Sequence, residues 1–168
     1  MKKLISFIFS LYCFSTYSQE HRSNNKTVLT KFTSTYSFTD FKVRIEKTKA
    51  NLDLKSHILG SRFKTVIKEG YAQEKAPFAG HYTFIQWGCG SPCQMAVIVD
   101  KRTGKIYEAP SASLGYSYQK DSRMLIINPP DSLGFFPKDC VYCTPEVYVL
   151  NEQTKKFKRL IQSITRDQ

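Results

Sequence analysis

Residues 79–107 read A-G-H-Y-T-F-I-Q-W-G-C-G-S-P-C-Q-M-A-V-I-V-D-K-R-T-G-K-I-Y, and the fold is decided there. Residues 81–87 form a strand with bulky side chains on both faces, Tyr82 and Phe84 on one and Ile85 and Trp87 on the other. Residues 95–99 are almost entirely apolar and read as a central strand. Between the two lies a tight loop holding Cys89 and Cys93. Residues 100–104 form a hairpin turn in which Gly104 can take the left-handed conformation and Asp100 caps its own backbone. Asp100 is therefore read as a turn residue and not as a catalytic acid. Residues 105–108 return as a third strand.

Upstream, residues 28–38 read as an edge strand, and Phe41, Val43 and Ile45 alternate with Lys42, Arg44 and Glu46 as in a half-buried strand. One helix follows. Leu59, Phe63, Val66, Ile67 and Tyr71 recur at helical spacing behind Ser56 as N-cap, and Gly70 marks a close contact with a sheet. Pro77 and Gly80 end the helical region. Downstream, residues 110–119 read as a loop, 124–127 as a buried strand, and 131–144 as a long segment without regular structure. Residues 147–150 and 157–161 form a final hairpin. The expected fold is α+β: a small antiparallel sheet of about six or seven short strands, a blade-like meander, packed with one main helix. The 100–105 turn resembles the outer hairpin of a propeller blade but occurs once, so a propeller is excluded.

Residues 1–18 have the layout of a signal peptide: Lys2 and Lys3, a short apolar run over 4–14, and small residues Thr16 and Ser18 before Gln19. The run is shorter than the roughly 20 residues that a membrane-spanning helix needs. Cys13 as a lipid-attachment site is the alternative, although Tyr12 is bulky for it. The expected organisation is a signal peptide over 1–18, a disordered N-terminus over 19–27, a single domain over 28–162 and a polar tail over 163–168. Loss of the leader removes two of the 25 basic residues against 14 acidic ones, so the formal net charge falls from +11 to +9. Such a chain is drawn to anionic envelope surfaces or acidic proteins. Nucleic acid is an unlikely partner, since the basic residues are scattered and the leader points to a periplasmic or secreted, bacterial location.

The motifs Ala79-Gly80-His81-Tyr82, Trp87-Gly88-Cys89-Gly90, Cys93, Ile98-Val99-Asp100, Thr103-Gly104 and Tyr107 resemble the core of a group of small exported bacterial proteins of uncharacterised function. The likeness spans roughly residues 63–160. It implies export and a single-domain architecture and carries no reaction with it. The pair Cys140 and Cys143 falls outside the shared core.

Four cysteines remain after cleavage: Cys89, Cys93, Cys140 and Cys143. In an oxidising compartment an even set reads as disulfides. Cys89 is expected to bond Cys93 across its tight loop, with Cys140 and Cys143 forming a second short loop or staying partly reduced. Long-range pairing between the clusters is the rival. Three other chemistries fit the same residues. A zinc site would use Cys89, Cys93, Cys140 and Cys143. Thiol redox exchange would use Cys140 and Cys143, though the helix that activates such a cysteine is missing. A cysteine hydrolase would use Cys89 or Cys93 with His81 as base. A zinc deaminase is excluded by Thr83, which stands where its H-x-E signature needs Glu. No cofactor is implied. His81 also reads as a strand histidine satisfied by a neighbour, and Tyr82 and Trp87 as packing aromatics. Tyr116 and Tyr118, with Phe135 and Phe136, are candidates for a binding surface or for a cover over the sheet edge. The expected function is an exported, non-enzymatic binding or inhibitor/immunity-type protein of the bacterial envelope. A cysteine-dependent hydrolase or thiol-redox enzyme and a structural envelope component are the alternatives.

Overall fold

The computed structural model describes residues 27–161. The expected signal peptide with Cys13, residues 19–26 and the polar tail lie outside the described residues.

Strand β1 (Leu29–Lys31) opens the described chain, and two short helices follow, α1 (Ile58–Arg62) and α2 (Lys64–Gln73). Strands β2 (Pro77–Phe78), β3 (Tyr82–Gly90), β4 (Cys93–Asp100) and β5 (Ile106–Ala112) come next. Then come β6 (Tyr116–Tyr118), β7 (Met124–Ile127), β8 (Phe135–Pro137), β9 (Glu146–Asn151) and β10 (Lys156–Leu160). The strands do not make one meander. They form a four-stranded sheet in the order β2-β3-β4-β5, a second in the order β10-β9-β7-β6, and a two-stranded ribbon, β1 with β8. All pairings within these sheets are antiparallel. The α+β class stands, and the single blade-like sheet is corrected to three.

The correction follows from where the apolar side chains go. On β3 and β4, Tyr82, Phe84, Ala96 and Ile98 face one core, together with Leu125, Ile127 and Leu150 of the second sheet. Ile85, Val97 and Val99 face the opposite way, onto Leu59, Ile67 and Tyr71 of the helices. The second sheet is two-sided as well: Met124, Ile126 and Val147 pack under Phe32, Tyr36, Phe38 and Phe41 of the N-terminal segment. Strands apolar on both faces need a covering layer on each side. The result is four layers: helices, first sheet, second sheet, N-terminal segment.

The helical region is broken at Phe63, whose φ of −119° and ψ of 38° separate α1 from α2. Ser56 is not the N-cap. The His57 imidazole takes that place by accepting from the Leu59 amide at 3.2 Å. The Ser56 hydroxyl instead donates to Asp53 O and accepts from the Ile106 amide at 2.9 Å, which ties the helix entrance to β5. Gly70 does mark a close approach: a Cβ there would crowd the Ile85 side chain at 2.7 Å. Residues 41–46 form no strand. The chain makes a 3-10 turn at Phe38–Phe41, one bridge between Lys42 and Ser122, and then runs extended. Phe41 and Val43 turn inward while Ile45 is exposed, and Glu46 turns toward Arg102. Residues 110–119 hold the end of β5 and all of β6, and 131–144 hold β8 and a 3-10 turn at Val141–Cys143, so neither is the irregular segment expected.

The chain crosses between the four-stranded sheets at Ser113 and Leu114, and buried Asn128 fixes the crossing. Its Oδ1 accepts from both amides, at 2.7 and 2.9 Å, and its Nδ2 donates to Thr144 O at 3.2 Å. Asn128 has a φ of +50°, a conformation that Asn tolerates better than most residues. Asn128→Ala strips two part-buried amides of their acceptor and is expected to destabilise by about 1–3 kcal/mol. Urea denaturation reads this directly, and an unchanged midpoint would mean that the crossing does not depend on Asn128.

Candidate functional site

Both cysteine pairs are bonded locally. Cys89 joins Cys93 at the tip of the β3–β4 hairpin, with Cα atoms 5.1 Å apart, and Cys140 joins Cys143 around the 3-10 turn, with Cα atoms 5.2 Å apart. A disulfide sulfur is neither a thiolate nucleophile nor a zinc ligand. Among the described residues no three His, Cys, Asp or Glu side chains converge with metal-ligand geometry. His81 stands immediately before β3 and Cys89 near the strand's far end. At about 3.3 Å per residue, eight residues of strand separate them by about 26 Å, so the base and the sulfur of the hydrolase reading are not brought together.

The aromatic candidates are divided. Tyr116 and Tyr118 stand on β6 with their rings 5.0 and 4.5 Å from that of Phe84, and the Tyr116 hydroxyl donates to Gln94 O at 2.9 Å. Burial pushes the Tyr116 phenol up to about 12. Phe135 and Phe136 belong to β8 in the separate ribbon, and Phe136 is buried. Trp87 lies against Phe63 at 4.7 Å between ring centres, with its Nε1 buried and unpartnered.

The densest polar cluster lies at the His81 end of the sheet pair. Register places Asp100 opposite Tyr82, and the Lys101 amide donates to His81 O at 2.8 Å. The turn that follows is closed by Gly104 at a φ of +76°, where any Cβ would overlap Asn51 O. Asp100 caps this turn as expected, its Oδ1 accepting from the Arg102 amide at 2.8 Å. The same carboxylate is buried and faces His81, with Nε2 and Oδ1 3.7 Å apart.

The β9–β10 turn of the second sheet brings Glu152 and Lys155 to this place. Lys155 Nζ donates to the Tyr82 hydroxyl at 2.7 Å and to Glu152 Oε2 at 2.8 Å, and the Tyr82 hydroxyl donates to Glu152 Oε2 at 2.9 Å. Glu152 Oε2 lies 3.8 Å from His81 Nε2. From the N-terminal segment, Glu46 forms a two-pronged ion pair with Arg102. Gly80, at a φ of +80°, lets β3 begin directly against the Arg44 carbonyl. Val43, Arg44, Glu46, Ala79, Arg102 and Glu152 surround His81 in a pocket of about 270 Å³.

Two buried side-chain atoms of this cluster have no hydrogen-bond partner, His81 Nε2 and Glu152 Oε1. The expectation of a strand histidine satisfied by a neighbour is corrected: the carboxylates approach His81 but do not reach hydrogen-bonding distance. Burial lowers the His81 pKa below 6.5, outweighing the pull of Glu152 and Asp100 in the other direction. Burial pushes the Glu152 carboxyl up, but hydrogen bonds from Lys155 and Tyr82 outweigh it and hold the group below 4.5. Burial and the neighbouring Glu152 raise the Tyr82 phenol far above its ordinary range. Glu152, Lys155 and Tyr82 were not foreseen as site residues. The first two sit in a polar turn with no local signal, and only the approach of the second sheet gives them a role.

These shifts fix the sign of a pH dependence. His81 binds its proton more weakly folded than unfolded, so the unfolded chain is favoured as pH drops below about 6.5. Glu152 acts in the same direction, beginning below about 4.5. Urea midpoints measured at about pH 7.5, 6 and 5 should fall in that order, and His81→Gln should flatten the step between the first two. A midpoint that rises on acidification across this window would refute the assignment. No protein-family model, curated protein or solved structure matches this chain.

Proposed function

We propose that this chain is an exported, non-enzymatic binding protein of the bacterial envelope, of the inhibitor or immunity type, and that it presents the disulfide-closed β3–β4 hairpin tip to its partner. The observation that carries this reading is the tip itself. Residues 88–92 are exposed on a hairpin stapled by Cys89 and Cys93. Beside them lies a cleft of about 540 Å³ lined by Gln86, Trp87, Ser91, Pro92, Gln94 and Ser113. A loop fixed in this way loses little conformational freedom on docking, which is how a small rigid surface gains affinity. The strongly basic composition favours an acidic partner or an anionic envelope surface. A cysteine hydrolase is disfavoured because Cys89 and Cys93 are bonded to each other far from His81, whereas the bonded Cys140–Cys143 pair fits a structural and a redox role equally.

Two measurements test the reading. Thiol titration of the exported protein, denatured without reductant, should find no free thiol. A tryptic digest should give each cysteine pair within its own fragment, not two fragments linked across residues 93–140. Affinity capture from envelope extract should then retain a partner that the Cys89→Ser/Cys93→Ser variant loses although it still folds. Free thiols, or a partner retained equally by that variant, would defeat the proposal.

A further inference from the structure

Charge is spread unevenly over this molecule. Charged residues make up 23% of the chain, yet residues 82–99, 109–119, 124–130 and 140–145 contain none. Within the buried strands this follows from packing. At one end of the molecule it does not, because the segments there are exposed. The β3–β4 tip, with Ser91 and Pro92, is exposed. Ser113 borders the cleft beside that tip, and Leu114 next to it is 47% exposed. The Leu114 amide and the Thr144 carbonyl bond the same Asn128 side chain, at 2.9 and 3.2 Å, so the loop closed by Cys140 and Cys143 adjoins Leu114. On that loop Val141 is 92% exposed and Tyr142 58%. Two stapled loops and Leu114 therefore share one end of the molecule, far from His81, that projects apolar side chains and carries no charge.

Charge is costly to take out of water, so an exposed end without it suits contact with an apolar partner or phase. Shape separates the two. A protein partner receives apolar anchors in fitted pockets. Val141 keeps almost none of its surface against its own chain, and it projects from a different loop than Leu114 and Pro92. Side chains that project in this way enter a lipid interface without a matched pocket, and a tyrosine has the apolar ring and polar tip that such an interface favours.

The charge of the body selects the lipid. The formal net charge of +11 lies outside this end. At its border stand Arg62, Lys64 and Lys138 against Asp131 and Asp139, while Arg159 neutralises Glu146 at 3.0 Å. Attraction of a basic body to anionic headgroups adds to the insertion of apolar side chains.

We infer that this end docks onto an anionic bilayer surface, with Leu114, Val141 and Tyr142 entering the boundary between headgroups and acyl chains. The inference rests on the reading of the stapled tip as the docking end, and it names a lipid surface as the partner.

The probes are large unilamellar vesicles of phosphatidylcholine and phosphatidylglycerol in equal parts, and vesicles of phosphatidylcholine alone, at about 0.15 M salt. The exported protein, with both bridges intact, should co-sediment with the mixed vesicles and bind the neutral ones at least about tenfold more weakly. Val141→Asp and Leu114→Asp should each weaken binding to the mixed vesicles by at least about tenfold. Both positions are exposed, so the urea midpoints of these variants should match that of the parent chain. Depth is read with Val141→Trp, whose added emission should be quenched by lipid brominated in its acyl chains. The emission added by Thr103→Trp, on the exposed turn near His81, should not be quenched. The inference is overturned if the mixed vesicles are not bound, if the neutral ones are bound as well, if the two Asp variants bind like the parent chain, or if both added tryptophans are quenched alike. Capture of an envelope protein by the tip without any binding to vesicles would overturn the bilayer and leave the reading of the tip standing.

Discussion

Burial of β3 and β4 on both faces is the constraint on which the rest of the structure depends. Ile98 and Val99 are adjacent in sequence, point to opposite sides of the sheet and are both fully buried. One sheet face cannot satisfy both. The helices must cover Val97 and Val99, and a second sheet must cover Ala96 and Ile98. Each fully buried aliphatic side chain contributes about 1.5–3 kcal/mol relative to exposure. Leaving either face open would therefore cost more than most small domains have to lose. The small residues Ala109 and Ala112 on β5 let the second sheet come close on one side. The absent side chain of Gly70 lets α2 come close on the other.

Where the layers meet at the His81 end, packing gives way to charge. Asp100, Glu152 and Lys155 come from two sheets, and the N-terminal segment adds Glu46 against Arg102. Such a cluster gives little net stability, because desolvation consumes most of the Coulombic gain. What it gives is register. The first sheet's Tyr82 hydroxyl and the second sheet's Lys155 ammonium meet at 2.7 Å only when the two sheets sit in one relative position. His81, buried here with Nε2 unpaired, makes this junction sensitive to acid.

Much of the scaffold was legible in the sequence, and the reasons for the rest are physical. The alternation of Tyr82 and Phe84 with Ile85 and Trp87 and the unbroken apolar run at 95–99 announced two-sided strands, and Gly104 announced their turn. The number of sheets was not announced, because strand periodicity records burial and not the identity of the covering layer. Pro110 argued against a strand at 110–112. It is tolerated there because β5 is an edge strand and its pairing with β4 shifts register just there. The helix pattern ran through Phe63 although the backbone breaks, since Leu59, Phe63 and Ile67 reach the same core from either side of the break. Of the site, the sequence marks His81 as a candidate base and Asp100 as a turn cap, which it also is. Glu152 and Lys155 carried no signal: a polar turn reads as solvent-facing until another sheet lies beside it.

The two cysteine bridges divide the work of holding this chain between local loops and the packed layers. Each spans only three or four positions along the sequence. Loop-closure entropy grows with the length enclosed, so bridges this short restrict the unfolded chain least. They do not join the layers, and none of the long-range pairings of β3 with β4 or of β7 with β9 waits on them. Oxidation in this protein therefore seals two local loops and leaves the layers to be held together by their own cores.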